Sequence, residues 1–109
     1  MDFDTETLVR DAIKSWLNAE EITEANLKEF FSDEFGCVEV EMFLQEQLEY
    51  FASGVVLEKL QKCSTIDELV IIADKVKEGV RNGQVKLISE VKDDDPFKEQ
   101  NYVGNIFET

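Results

Sequence analysis

Residues 65–83 read TIDELVIIADKVKEGVRNG, and this stretch sets the fold class. Thr65 followed three residues later by Glu68 forms a capping box, in which the hydroxyl accepts from the backbone N–H of position 68 and the carboxylate reaches back to the helix start. Ile66, Leu69, Val70, Ala73, Val76 and Val80 then recur at the spacing of one helical face. Lys75, Lys77 and Arg81 fall late in the segment, where positive charge complements the carbonyl end of the helix dipole. Asn82-Gly83 closes it. The spacing predicts an amphipathic helix, and an amphipathic helix requires other apolar faces to cover it.

Those faces lie upstream. Leu8, Val9, Ala12, Ile13, Trp16 and Leu17 predict a first helix from about Thr5 to Asn18, capped by Asp4 or Thr5. Thr23 caps a second helix, with Ile22 placed to pack on Leu27 as a hydrophobic staple. Leu27, Phe30, Phe31 and Phe35 form its buried side, and Gly36 is expected to end it in a left-handed conformation. Glu34 falls inside that apolar arc, either in a frayed last turn or as a half-buried carboxylate with a partner. A longer helical segment runs from about Val38 to Lys62, with Val40, Phe43, Leu44, Leu48, Phe51 and Val55 on one stripe. Near Ser53-Gly54 the stripe shifts phase to Val56, Leu57 and Leu60, so the segment is one bent helix or two. Met42, Tyr50 and part of Val56 or Leu57 are left over as apolar surface for the tail or another chain to cover.

Downstream, residues 84–92 are ambiguous. Val85, Leu87 and Val91 alternate as in a strand, whereas Val85, Ile88 and Val91 continue a helix. A hairpin at Asn82-Gly83 would require residues 75–81 to be a strand, against their helical period, so helix is the expectation. From Asp93 the composition changes, with three consecutive aspartates and the only proline, Pro96. The domain is therefore expected to span residues 1–92 and a tail residues 93–109. Phe97, Tyr102, Val103, Ile106 and Phe107 make that tail apolar enough to dock on its own fold, and a disordered end is the alternative. Gln100, Val103, Ile106 and Phe107 also loosely resemble the glutamine, aliphatic, aromatic motif by which peptides dock on sliding clamps. Taken together, the chain reads as an all-α, compact bundle of four to five helices with a partly ordered C-terminal tail.

Composition bounds what such a bundle can do. The chain has 109 residues, enough for one core, with 43% hydrophobic and 10% aromatic residues. Asp2, Phe3 and Asp4 stand where a secretory signal would carry basic residues and an apolar run, and no apolar stretch approaches the roughly 18 residues of a membrane span. A cytoplasmic protein is expected. Cys37 and Cys63 are then free structural thiols; one helix between them would hold their sulfurs far apart, and only a sharp reversal near Ser53-Gly54 would bring them together.

No histidine is present, so the usual general base, the commonest metal ligand and the usual partner of a serine or cysteine nucleophile are all missing. The five glycines stand alone rather than in a phosphate loop, and no segment has the spacing of a calcium loop. Asp93-Asp94-Asp95 reads as a solvated charge run rather than a site for calcium or magnesium. The expectation is no enzyme, no cofactor and no metal. With 25 acidic against 11 basic residues the formal charge is −14, which opposes direct contact with nucleic acid. The charge is also segregated: residues 1–50 hold 14 acids and 3 bases, a net of −11, and residues 51–109 a net of −3.

Glu29 and Asp33 on the second helix, with Glu39, Glu46 and Glu49 on the third, would form rows of carboxylates if the two helices lie side by side. Such rows suit a basic surface of a nuclease, a toxin or a nucleic-acid-binding protein, because complementary charge steers encounter. Solvated glutamates also keep any helical protein soluble, but solubility does not require segregation. The expected function is thus a small acidic protein-binding module of the inhibitor, immunity-protein or nucleic-acid-mimic type. The alternative is a structural or adaptor subunit associating through Met42, Tyr50 and Leu57 as a homodimer or docking surface, or through the tail.

Overall fold

The computed structural model describes residues 3–50, 54–90, 106 and 107. Among them are five α-helices: α1 (Thr5–Leu17), α2 (Glu24–Ser32), α3 (Gly36–Leu48), α4 (Val55–Gln61) and α5 (Ile66–Arg81). The architecture is all-α. The starts of α1, α2 and α5 are each set by a side chain that satisfies an otherwise orphaned N–H, whereas α3 and α4 begin without a side-chain cap. Asp4 accepts from Thr7 N at 3.3 Å, Thr23 Oγ1 from Asn26 N at 3.1 Å, and Thr65 Oγ1 from Glu68 N at 3.2 Å. Glu68 reaches back in return, with Oε1 accepting from Ser64 N, one residue before the cap, at 3.1 Å and from the Thr65 hydroxyl.

α1 lies against α2, α3 and α5, while α4 packs on α3 and α5. The core between them contains Val9, Ala12, Ile13, Phe30, Val40, Leu44, Tyr50, Val56, Leu60, Leu69, Ala73, Val76 and Val85. Phe3 meets Lys77 and Thr5 meets Asp74, so α1 and α5 run in opposite directions at this end. The third predicted segment is two helices. Glu49 is left-handed at φ 53° and ends α3, and Gly54 at φ 92° precedes α4. The chain reverses between them, placing Cys37 beside Leu60 and Glu34 beside Gln61, so α3 and α4 form an antiparallel hairpin.

Three expectations change, and the open alternative at Glu34 resolves to the exposed one. Gly36 does not terminate α2: it opens α3, and a Cβ there would sit 2.9 Å from the Phe30 ring, so its use is close approach. Asp33 ends α2 instead, and the short turn leaves Phe35 58% exposed rather than buried. Glu34 is exposed, and the buried carboxylate belongs to Glu41. Tyr50 is not surplus surface but fully buried, because the break after α3 turns it inward.

Residues 84–90 form neither the expected helix nor a hairpin. Gly83 at φ 79° stops the helix, and the N–H groups of Gln84 and Val85 both turn back to Gly79 O. Leu87 then makes an isolated antiparallel bridge with Tyr50, Ile88 N donates to Glu49 O at 2.9 Å, and Ile88–Glu90 is a single 3-10 turn. The backbone groups that a lone strand would leave unpaired are met by the end of α3. In the tail, Ile106 and Phe107 are half-buried against the core. The readings made on Phe51, Val91, Asp93-Asp94-Asp95, Pro96, Phe97, Gln100, Tyr102 and Val103 lie outside the described residues.

Candidate functional site

α3 buries Cys37, Val40, Glu41 and Leu44 on one side. Directly opposite, at i, i+4, i+7 and i+11, stand Phe35, Glu39, Met42 and Glu46. Phe35 and Met42 are more than half exposed, Glu46 is exposed and Glu39 half-buried. The outer stripe of α3 therefore alternates apolar and acidic side chains. Glu46 also borders a groove between α1 and α3, whose walls include Phe3, Leu8 and Phe43.

The other predicted site residues lie elsewhere. Glu29 is exposed on α2. Asp33, half-buried at the end of the same helix, accepts from Phe35 N at 2.9 Å through Oδ1 and so has a local structural task. α2 packs on α1 and makes no comparable packing contact with α3, so the two helices do not lie side by side as a paired row would need. Glu49, at the left-handed end of α3, borders a hollow whose lining also includes Lys77 and Arg81. The structure thus brings Glu39 and Glu46 onto one face, keeps Glu29 and Asp33 on another helix, and sets Glu49 near cations.

The ion pairs Glu6–Arg10, Glu58–Lys62 and Glu78–Arg81 are exposed contacts within single helices and involve none of these five residues. Each is worth at most about 1 kcal/mol. Hydrogen bonds to the charged form hold two capping carboxylates below the usual range: Asp4 through the Thr7 side chain, and Glu68 through the Ser64 backbone and hydroxyl. Both serve helix starts.

Sequence reasoning missed Glu41. It is only 8% exposed, four residues after Cys37 and three before Leu44, inside the apolar arc of α3. That position was the available signal. Its Oε2 accepts a long 3.3 Å hydrogen bond from the Tyr50 hydroxyl, and it also accepts from the backbone N–H of Leu57. Gly54 provides no side-chain cap to α4, so Glu41 reaches across from α3 to satisfy a first-turn N–H. Burial raises its pKa, partly opposed by those two hydrogen bonds, and burial together with Glu41 pushes the Tyr50 phenol far up.

Both cysteines are free thiols. The sharp reversal, not the single helix, is what forms: it puts Cys37 Sγ 3.2 Å from Leu60 O, next to the Lys59 carbonyl that Cys63 Sγ meets locally at 3.5 Å. Burial raises the Cys37 thiol; burial, then Glu68 and Cys37, push Cys63 up to about 11. Neither has the lowered pKa of a reactive thiolate. Among the described residues, no three His, Cys, Asp or Glu side chains converge to hold a metal, and no helix is long and apolar enough to cross a membrane. Compared with protein-family models, curated proteins and solved structures, the chain matches none.

Proposed function

We propose that the protein is a small acidic binding module that occupies a basic surface of another macromolecule. It acts in the cytoplasm, without catalysis, as an inhibitor, immunity protein or nucleic-acid mimic directed at a nuclease, toxin or nucleic-acid-binding protein. The observation that carries this reading is the outer stripe of α3, where Glu39 and Glu46 alternate with the exposed Phe35 and Met42. Charge supplies steering and register, while exposed apolar side chains supply the area that holds a complex together. Nucleic acid itself would be repelled by the same face.

The test is capture of bound proteins from the native host at low and at moderate salt, followed by affinity measurements on what elutes between them. Changing Glu29, Glu39, Glu46 and Glu49 together to lysine, with Asp33 kept because it holds the α2–α3 turn, should weaken that complex at least about tenfold and flatten its salt dependence, with helicity intact. Unchanged affinity would rule out the acidic face. The exposure of Phe35 and Met42 also favours a second reading, self-association as a structural subunit through the same stripe. Sedimentation that depends on concentration but not on salt would select it. Tyr50, being buried, takes no part in either.

A further inference from the structure

Asp4, Thr7, Leu8 and Asp11 form a row at i, i+3, i+4 and i+7 along the amino-terminal half of α1. Phe43, Glu46 and Gln47 form a matching row at i, i+3 and i+4 near the end of α3. Between the two rows runs an open groove of about 300 Å³, walled by Phe3, Leu8 and Phe43. Asp4 and Asp11 stand two turns apart on one rim and Glu46 on the other. Asp11 and Glu46 are exposed and, among the described residues, pair with no lysine or arginine. Asp4 is engaged at Oδ2 by the Thr7 backbone and hydroxyl. At the Phe3 end a cation is already seated, with Lys77 Nζ 4.7 Å from the ring centroid.

We infer that this groove receives an amphipathic basic helix of a partner protein, laid between α1 and α3 with its apolar stripe on Phe3, Leu8 and Phe43 and its lysines or arginines against Asp4, Asp11 and Glu46. The inference rests on the acidic-module reading above and moves its centre from the outer stripe of α3 to the α1–α3 seam. Two helices side by side offer ridges at the i, i+3 and i+4 periods, into which a third helix packs with the same spacing. Charge complementarity selects the occupant. The acidic rim disfavours nucleic acid and acidic peptides, and the apolar walls disfavour a basic segment that lacks hydrophobic anchors.

The test uses the full chain, labelled for NMR, and a synthetic leucine–lysine peptide of about 18 residues, long enough to be helical, with leucines at i, i+3, i+4 and i+7. A scrambled peptide of equal composition is the control. Shifts gathered on residues 3–11 and 43–47, and weaker binding of the scrambled peptide, are expected. D11K combined with E46K should weaken binding at least about tenfold, both residues being exposed so that the fold is kept. Phe43→Gln should weaken it without any change of charge. Shifts centred instead on Glu29 or on Phe35 and Met42, or equal binding of the scrambled peptide, would overturn the groove while leaving the acidic-module reading intact. Binding by neither peptide at low salt would overturn both. A groove closed by a second copy, seen as concentration-dependent sedimentation that the peptide reverses, would also overturn it.

Discussion

Glu41 shows how one side chain can be costly and necessary at once. Its carboxylate loses water inside the bundle, yet it is what satisfies Leu57 N–H and the Tyr50 hydroxyl. Glu41→Gln keeps an acceptor in place and removes the charge, so the variant should be at least as stable as the parent at neutral pH. Glu41→Ala leaves both donors buried without a partner and should be about 1–3 kcal/mol less stable than Glu41→Gln. The pH dependence has a definite sign. A raised folded pKa means that the native state holds its proton more tightly than the unfolded chain, so this group's contribution falls as pH rises from the ordinary glutamate range through the folded value. Urea titrations of parent and Glu41→Gln should therefore diverge on going from acid to neutral pH, in favour of the variant. Asp4 and Glu68, with lowered values, act oppositely and lose their contribution as pH falls. At Cys63, a thiol pushed up to about 11 should alkylate at pH 8 at least about tenfold more slowly than a free cysteine, with the rate still rising beyond pH 9.

At the scale of elements, α5 and the chain that follows it are joined at Gly79. A Cβ there would meet Val85 Cγ2 at 2.5 Å and Ile106 Cγ2 at 2.9 Å. Alanine would gain about 1 kcal/mol in helix propensity, against about 1–3 kcal/mol for overpacking. Val85 is β-branched and fully buried, so it cannot swing aside. Overpacking wins, and Gly79→Ala should lower the midpoint of thermal unfolding while the capped start of the helix stays intact. The starts of α1, α2 and α5 were legible because each cap is a bond over three residues, readable from Asp4, Thr23 or Thr65 and the residues that follow, whereas α3 and α4 start without one. The ends were less so. Asn18 and Glu49 take left-handed conformations that glycine usually fills, and the α2–α3 turn depends on the Phe30 ring lying over Gly36.

Across the whole molecule, sequence placed most of the negative charge in the first half, and folding divided it. Glu29 and Asp33 belong to α2, which packs on α1 rather than α3, while α1 sets Asp4 and Asp11 along the groove shared with Glu46. A row across α2 and α3 presumed neighbours that do not lie flank to flank. Asp4 and Asp11 were absent from the expected site because only the α1–α3 packing brings them opposite Glu46. The end of the chain also closes the fold: Ile106 lies over Gly79 and Phe107 stands 5.8 Å from Lys59 Nζ, both half-buried. Deleting residues 93–109 should cost about 2 kcal/mol of stability, the scale of two partly buried large side chains. A truncated chain that melts with the parent would instead assign those residues to a partner, as the clamp-like spacing would require.

Periodicity and capping are local, spanning three or four residues, and so the all-α class, the capped starts of α1, α2 and α5 and most of their apolar faces could be read directly from the chain. Which helices become neighbours depends on how all those faces are buried together, and on the left-handed turn at Glu49, which no glycine marks in the sequence. Tertiary structure therefore decided the α3–α4 reversal that brings Cys37 and Cys63 to adjacent carbonyls, the inward turn of Tyr50 onto Glu41, and the opening between α1 and α3 where acidic rims flank an apolar floor.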